Sequence, residues 1–173
     1  MLNNIEIRNA TANDAQAIID YCNIVGGESD NLSFGGGEFY LSVKEEQEFL
    51  NKQDQFNICV VAVSDGAIIA AANLSSIERP RFKHNATLGI SVLKQYHGQG
   101  VGTRMITELL KQISANNITE NIILEVRSDN YAAIKLYERF GFEKVGCLPR
   151  NINVGGQYFD IDIMHKQLTV KIK

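Results

Sequence analysis

Three glycines at alternate positions, Gly98, Gly100 and Gly102, occur in the stretch HGQGVG at residues 97–102. An apolar, β-branched run precedes this stretch, and an amphipathic helical pattern follows it. A tight glycine turn between a strand and a helix suits an anion, because the first N–H groups of a helix lack intrahelical partners and the helix dipole is positive there. Glycine also lets the main chain touch a phosphate or adopt a positive φ angle. We therefore expect the backbone of residues 98–103 to bind phosphate oxygens.

Two common phosphate-binding motifs do not fit this loop. A P-loop requires a lysine followed by Ser or Thr after its last glycine, whereas Thr103 follows Gly102 directly. A dinucleotide-binding fingerprint requires G-x-G-x-x-G, and Thr103 occupies the position of the third glycine. On this stretch alone, a turn that only joins a strand to a helix remains an alternative.

A second stretch that could do chemistry is LEVRSDNYAAIKLYERFGF at residues 124–142. Asn130 and Tyr137 are seven positions apart, which places them on nearly the same face of a helix that has about 3.6 residues per turn. Asn130 stands at the predicted helix start, where its side chain can cap the helix or reach a ligand amide. An aromatic residue at this spacing is more often part of the core than of a catalytic site.

The two stretches together resemble the GNAT acetyltransferase superfamily. Gly100 and Gly102 match the small positions of its pyrophosphate-binding motif, [QR]-x-x-G-x-[GA], although His97 stands where Gln or Arg is usual. The second stretch is similar to L-x-V-x-x-x-N-x-x-A-x-x-L-Y-x-x-x-G-F, and YFDIDIM near the end is similar to the last strand of the family. The matching positions are Asn130, Ala133, Leu136, Tyr137, Gly141, Phe142, Tyr158, Asp160 and Met164. The resemblance covers about residues 86–167, and the LEVRSDN run resembles ribosomal-protein N-terminal alanine acetyltransferases.

This resemblance implies one N-acetyltransferase domain over residues 1–173, with an acetyl-CoA-binding core at about 86–145. It implies that the fourth and fifth strands splay apart, so that backbone groups of Ile90, Ser91 and Val92 meet the cofactor. Asn130 would contact the pantetheine arm, and the hydroxyl of Tyr137 would lie beside the thioester sulfur and protonate the departing thiolate. The loop would contact the cofactor through His97, Gly98, Gln99, Gly100, Val101, Gly102 and Thr103.

An amine nucleophile needs a base, because the pKa of an unperturbed primary amine is about 10.4. Glu125 lies five residues before Asn130, and in the acetyltransferases that LEVRSDN resembles a glutamate at this position serves as the base. The alternative is an ordinary strand glutamate that faces solvent or forms a salt bridge. The glycine-rich segment 26–41 contains Glu28 and Glu38 beside aromatic residues. The resemblance implies that this segment forms part of the acceptor pocket, and its composition could hold a cation against a ring. The same composition fits a solvated flexible loop.

The hydrophobic pattern predicts the elements that must position these residues. Strands are predicted at 5–10, 57–63, 67–77, 86–93, 121–127, 142–148 and 157–168. Helices are predicted from Thr11 to about Val25, from Ser42 to about Asn51, from Gly102 to about Asn116, and at 130–141. We therefore expect a mixed α/β (α+β) domain with a central mixed, mostly antiparallel, twisted sheet flanked by helices.

Composition argues against several other classes of protein. The net charge of −3 gives no indication of a nucleic-acid partner. No apolar run approaches the roughly 20 residues that a membrane helix needs, and the first ten residues lack the features of a signal peptide. The three cysteines and three histidines are scattered without metal-ligand spacing, so we expect no metal and buried free thiols in a reducing cytoplasm.

The sequence thus predicts an acetyl-CoA-dependent N-acetyltransferase in which a primary amine attacks the thioester directly. The residues leave the acceptor open between a small-molecule amine and a protein or peptide amine, and they are compatible with a homodimer. Two alternatives are a non-catalytic acyl-CoA-binding or sensing module on the same fold, and a nucleotide-binding protein that uses the same glycine loop.

Overall fold

The computed structural model describes residues 5–168, which form one seven-stranded sheet flanked by four helices. The strands are β1 (Glu6–Asn9), β2 (Asn57–Ser64), β3 (Ala67–Ser76), β4 (Asn85–Val92), β5 (Asn121–Arg127), β6 (Glu143–Val154) and β7 (Gln157–Gln167). The helices are α1 (Ala15–Glu28), α2 (Val43–Asn51), α3 (Val101–Ser114) and α4 (Tyr131–Arg139). The predicted fold class and the predicted order of elements are confirmed.

The sheet is mostly antiparallel, with the strand order β1-β2-β3-β4-β5-β7-β6. Asp65 and Gly66 both have positive φ angles, of 50° and 79°, and they form the tight turn that joins β2 to β3. Only β4 and β5 pair in parallel, because the chain returns through α3 between them. This parallel pair lies at the centre of the sheet, with antiparallel neighbours on both outer sides.

The helices bury the two faces of the sheet. Helix α3 packs an apolar stripe against it, formed by Val101, Met105, Ile106, Leu109 and Ile113, all 0–1% exposed. Burying each such side chain contributes about 1.5–3 kcal/mol relative to leaving it in water. Helix α1 covers the other face, where its Tyr21 reaches β4. No helix among residues 5–168 combines the length and the apolarity that crossing a membrane requires.

The end of α1 differs from the prediction. The helix continues through Gly26 and Gly27 to Glu28, whereas the two glycines were expected to follow its end. Close backbone contact explains them: a Cβ atom on Gly26 would lie 2.6 Å from the carbonyl oxygen of Gly35, and one on Gly36 would lie 2.9 Å from the Cα of Gly27. These glycines therefore fasten the segment after α1 against the helix, which disagrees with a freely mobile loop.

Strand β6 is longer than predicted, since it extends to Val154 rather than Leu148. Two register shifts, between Lys144 and Gly146 and between Leu148 and Ile152, interrupt its pairing with β7. The hairpin turns at Gly155–Gly156, where both φ angles are positive. Bulged pairing of this kind weakens the alternation of apolar and polar residues, which is why the pattern indicated a shorter strand.

Candidate active site

A wedge-shaped opening separates β4 from β5 at the centre of the sheet. The two strands pair only at Asn85–Thr87 and Asn121–Ile123. Beyond that point β4 stays paired with β3 as far as Val92, and β5 stays paired with β7 as far as Arg127. The facing edges of β4 and β5 therefore carry backbone groups without a strand partner, which confirms the expected splay.

The ladder geometry shows which backbone groups of β4 face this wedge. Leu93 donates to Ile69 at 3.0 Å and Ile77 donates to Asn85 at 3.4 Å, so the odd-numbered residues of β4 bond to β3. The N–H and C=O groups of Ile90 and Val92 consequently point into the wedge.

The position of Ser91 differs from the sequence prediction, and the backbone of Glu125 has a position that was not predicted. The alternation turns the backbone groups of Ser91 toward β3, in contrast to the predicted cofactor contact, and its hydroxyl forms a 2.9 Å hydrogen bond with the hydroxyl of Tyr21. On β5, Ser128 donates to Asp160 at 2.9 Å and Leu168 donates to Glu120 at 2.7 Å, so even-numbered positions face β7. The backbone of Glu125 therefore also points into the wedge, a position that no side-chain signal in the sequence could reveal.

The glycine loop follows β4 and leads into α3, as predicted. Gly98 and Gly100 have φ angles of 73° and 79°, and Gly100 is the N-cap of α3. The first bond of the helix runs from Arg104 N–H to Gly100 C=O, so Val101, Gly102 and Thr103 have N–H groups without an intrahelical acceptor. The positive end of the α3 dipole and these N–H groups together suit an anion.

Gly102 has a different reason to be a glycine. A Cβ atom there would lie 3.1 Å from Cδ2 of Leu136, so its absence lets α3 pack closely on α4. The side chain of Gln99 donates to the carbonyl of Gln95 at 2.7 Å, which braces the loop from within.

His97 joins the loop to the end of β4. Its Nε2–H donates to the carbonyl oxygen of Val92 at 2.8 Å. The imidazole is exposed, but this bond commits one ring nitrogen to the rim of the wedge. His97 thereby ties together the two parts of the site, the wedge and the loop.

Helix α4 carries the second pair of predicted residues. Asn130 is its N-cap, and the Oδ1 atom accepts from Ala133 N–H at 3.3 Å, which leaves the Nδ2 group as a donor. Tyr137 is 7% exposed, and its ring meets that of Phe142 edge-on at a centroid distance of 6.0 Å. Burial raises the pKa of Tyr137 to about 12, so the phenol keeps its proton throughout the neutral range.

The hydroxyl of Tyr137 is available for chemistry. It makes no hydrogen bond within the part of the chain that the structure describes, and no side-chain oxygen or nitrogen there is both buried and unpartnered. The hydroxyl of this otherwise buried side chain therefore reaches solvent, as a proton donor to a bound ligand must.

Glu125 lies on the face of the sheet that α1 covers. Leu124 and Val126 are buried on the opposite face, so the side chain of Glu125 points the same way as that of Arg127 and is exposed. Arg127 donates to the carbonyl of Asp30, at 3.1 Å, in the segment between α1 and α2. Glu125 thus stands beside the wedge, toward the segment predicted to contact the acceptor.

Arg127 is a positioning residue that sequence reasoning missed. Its guanidinium lies 3.7 Å above the ring of Phe159 on β7 and forms two 2.7 Å bonds with Asp129, in addition to the bond with Asp30. One side chain on β5 therefore contacts β7, the residue before the α4 N-cap and the segment after α1, and holds them in place relative to one another. The planar, five-donor guanidinium suits this task, but nothing in the local sequence identifies its distant partners.

Glu28 and Glu38, the predicted acceptor-binding residues, both accept bonds from the main chain. Glu28 Oε2 accepts from Lys94 N–H at 2.8 Å, linking the end of α1 to the turn after β4. Glu38 Oε2 accepts from Gly35 N–H at 2.7 Å, closing its segment on itself. Both carboxylates are exposed, so each keeps free lone pairs beside its structural bond.

An open hollow of about 320 Å³ adjoins the start of α4. It is lined by Ser128, Asp129, Tyr131, Tyr158, Phe159 and Asp160. Its carboxylates are engaged, because Asp129 pairs with Arg127 and Asp160 accepts from Arg150 N–H at 2.8 Å. The hollow therefore offers aromatic surface with partly neutralised charge.

Residues 5–168 contain no group of three or more His, Cys, Asp or Glu side chains arranged to hold a metal. Cys22, Cys59 and Cys147 are free thiols, but only Cys22 and Cys59 are buried. Cys147 is exposed on β6, so the expectation that all three thiols are buried is wrong for this residue. Burial raises the pKa of both Cys22 and Cys59 to about 12, so neither is a nucleophile at neutral pH.

A strand-edge wedge, a glycine loop suited to an anion and a protonated phenol together fit the class of coenzyme A-dependent acyltransferases. Comparison with known families agrees: residues 30–142 match the model of the Acetyltransferase (GNAT) family. The chain belongs to this family of acetyltransferases, whose co-substrate is acetyl-CoA. The predicted family, the predicted enzyme class and the predicted cofactor are thereby confirmed.

Two curated relatives illustrate how acceptors differ within the family. The chain is 36% identical over 102 residues to the N-alpha-acetyltransferase RimI of Mycobacterium tuberculosis, covering 58% of this chain and 61% of the relative. It is 31% identical over 101 residues to the L-amino acid N-acetyltransferase AaaT of Escherichia coli, covering 58% of this chain and 62% of that protein. Each match thus spans less than two thirds of the relative.

Solved structures show the same fold. An acetyltransferase of the GNAT family from Streptococcus pneumoniae superposes with a TM-score of 0.92 at 30% identity, covering 95% of this chain and all of that one. The yncA protein of Salmonella typhimurium, solved with its cofactor acetyl-CoA, superposes with a TM-score of 0.84 at 18% identity, covering 99% of this chain and 98% of that one.

Proposed function

We propose that the protein transfers the acetyl group of acetyl-CoA to a primary amine, and that the amine attacks the thioester directly. The observation that carries the proposal is the separation of β4 from β5, with the glycine loop at the end of the opening. The pantetheine arm would bond to the backbone groups of Ile90 and to the N–H group of Val92, in place of a missing strand, while the Val92 carbonyl stays bonded to His97. The N–H groups at the start of α3 would bind the pyrophosphate, and Asn130 Nδ2 would donate to a pantetheine carbonyl.

Two residues beside the opening would carry out the two proton transfers of the reaction, Glu125 as the base and Tyr137 as the acid. Glu125, directly or through water, would accept a proton from the ammonium form of the acceptor. The freed amine would form a bond to the thioester carbon, with the developing oxyanion stabilised by backbone N–H groups of β4. When the carbon–sulfur bond breaks, Tyr137 would donate its proton to the thiolate.

We propose an α-amino group, on an amino acid or a peptide, as the acceptor. An α-amine has a pKa of about 8, so it gives up its proton more readily than a lysine side chain does. The two relatives named above act, by their names, on N-terminal amines and on L-amino acids. The exposed carboxylates of Glu28 and Glu38 lie on the acceptor side and would attract a cationic group. A cytoplasmic location and a homodimer remain predictions.

A transfer assay tests this function. The protein is incubated with acetyl-CoA and, separately, with free L-amino acids, peptides with a free N-terminus, the same peptides with a blocked N-terminus, and polyamines. Thiol release and the mass of the products are followed together. We expect an acetyl mass increment on α-amines and none on blocked peptides.

Calorimetry with CoA, ATP and NAD separates the alternatives. Tight binding of CoA without thiol release in the whole panel would support the non-catalytic module. Preference for ATP or NAD over CoA would support a nucleotide-binding protein and contradict the proposal.

A further inference from the structure

Three residues form one row across the face of the sheet that α1 covers, which is called the acceptor face below. Gly89 of β4 pairs with Asn73 of β3. On the other side Thr87 pairs with Ile123, so the register places Gly89 opposite Glu125, two residues further along each strand, where β4 and β5 have already separated. Side chains two residues apart share a face, so Asn73, Gly89 and Glu125 all face the side that α1 covers.

Gly89 leaves a gap in this row, and the side-chain amide of Asn73 lies beside that gap. A Cβ atom on Gly89 would lie 2.8 Å from Oδ1 of Asn73, so the amide oxygen leans over the glycine toward the wedge. The Nδ2 group of Asn73 donates to Oγ of Ser75 at 3.2 Å, which fixes the orientation of the amide. Within the described residues no donor bonds to Oδ1, so it is an acceptor aimed at the opening.

The neighbouring rows close this gap from two sides. In the row of Ala71 and Ser91, the Tyr21 hydroxyl covers the sheet through its 2.9 Å bond with Ser91. In the row of Ser75, Thr87 and Ile123, β4 and β5 are still paired, so no wedge exists there. The row of Gly89 is thus where the wedge meets open space on the acceptor face.

We propose that Asn73 binds the acceptor nitrogen in this gap, with its Oδ1 atom accepting one N–H while Glu125 removes another proton. The inference rests on the proposed amine acetylation and names a residue that determines acceptor specificity. An ammonium group carries three protons, so it can serve both oxygens and still expose its lone pair to the thioester carbon after deprotonation. A hydroxyl carries one proton and cannot serve both, so the pair selects amines over alcohols.

Steady-state kinetics with tetra-alanine, a peptide with a free N-terminus, and with L-alanine test this binding role. Loss of one hydrogen bond in Asn73→Ala should raise the KM of the amine about tenfold. The KM of acetyl-CoA should stay within about twofold, because the cofactor groups lie on other residues. Thr87→Ala is the matched control, since Thr87 lies on the same face of the sheet, on the neighbouring strand β4, but at a position where β4 and β5 are paired. It should leave both KM values unchanged.

Asn73→Asp supplies a readout that a purely structural role would not change. A second carboxylate near the bound ammonium would stabilise its protonated form, so the acid limb of the kcat profile should move to higher pH by about one unit. Gly89→Ala should raise the KM of the amine as well, because its methyl group displaces Oδ1 and occupies the gap. In the Asn73→Ala variant, Gly89→Ala should raise the KM of the amine by a smaller factor than it does in the wild type, because the Asn73 Oδ1 atom that the added methyl group would displace is absent.

The outcomes separate the two proposals. If the wild-type protein acetylates amines but Asn73→Asp leaves the pH profile unchanged and Asn73→Ala leaves the KM of the amine unchanged, the role of Asn73 is wrong and the acetyltransferase function stands. If Asn73→Ala does not fold, the Asn73→Asp profile and the Gly89→Ala kinetics decide. If the wild-type protein acetylates no amine in the panel, both proposals are wrong.

Discussion

Replacing Tyr137 with phenylalanine isolates the proposed proton donor from the packing around it. The phenylalanine ring fills the same buried volume and keeps the edge-on contact with Phe142 at 6.0 Å. The Tyr137 hydroxyl makes no hydrogen bond in the described part of the chain, so its removal leaves no polar group without a partner there. The free energy of unfolding at pH 7.5 should therefore change by less than about 0.5 kcal/mol. A general acid contributes about 10²–10⁴-fold to a rate, so kcat should fall at least about a hundredfold.

The affinity for the cofactor should survive this change. The proposed pyrophosphate contacts lie at the start of α3, and the pantetheine contacts lie on β4, so calorimetry with CoA should give a Kd within about threefold of the wild type. Thiol release and product mass, measured with saturating acetyl-CoA, give kcat. Urea unfolding, followed by circular dichroism, gives the stability of both proteins.

Alkaline pH adds an independent check of burial. Since burial raises the pKa of Tyr137 to about 12 from an ordinary value of 10.0, the protonated phenol stabilises the folded state fully below pH 10. That contribution is lost as the pH rises from 10 toward 12, at about 1.4 kcal/mol per unit. Tyr137→Phe should therefore lose less stability than the wild type between pH 7.5 and 11.

Two results would refute the role of Tyr137. An unchanged kcat would show that the hydroxyl takes no part in the slow step. A loss of CoA affinity as large as the loss of kcat would show that the side chain binds the cofactor rather than donating a proton.

Two further substitutions test the base and the loop. Glu125→Gln should lower kcat/KM for the amine about a hundredfold at pH 7, with partial recovery above pH 8, where an α-amine is already deprotonated. The control Glu138→Gln, at an exposed position of α4, should have no effect. A loss that is independent of pH would contradict the role of Glu125 as the base. Gly100→Ala and Gly66→Ala each force alanine to a φ of 79° with nothing within 4 Å of the added Cβ, so thermal unfolding should show a similar loss of about 1 kcal/mol in both. Only Gly100→Ala should also raise the KM of acetyl-CoA, and equal KM values in the two variants would contradict an anion site at this loop.

The sequence predicted the elements well where the pattern is local. The strand before the glycines, the amphipathic helix after them and the Asn-capped helix of Tyr137 all lie within a few residues of the expected bounds. Each depends on neighbours in the chain: period, cap and turn chemistry. Family resemblance supplied the splay of β4 and β5, which no local pattern encodes.

Contacts between distant segments explain what was missed. Gly26 and Gly36 look like a helix end and a flexible tract, but a Cβ atom on Gly26 would meet the carbonyl oxygen of Gly35, and one on Gly36 would meet the Cα of Gly27. The partners of Arg127 come from positions 30, 129 and 159, and only the folded chain brings them together. The pairing of Ser91 with β3 depends on register, and a shift by one residue would reverse which backbone groups face the wedge.

The wedge itself connects the fold to the proposed chemistry. A backbone N–H or C=O group that lacks both water and a partner destabilises a folded protein, so an open strand edge must stay solvated or bind a ligand. β4 and β5 are each anchored on their outer edge, by β3 and β7, which keeps the two edges apart. A ligand with alternating amide groups can complete both edges as a strand would, and the pantetheine arm of coenzyme A has that form. The acyl group at its end would then lie in the row of Gly89, between the phenol on one face and the carboxylate and amide on the other.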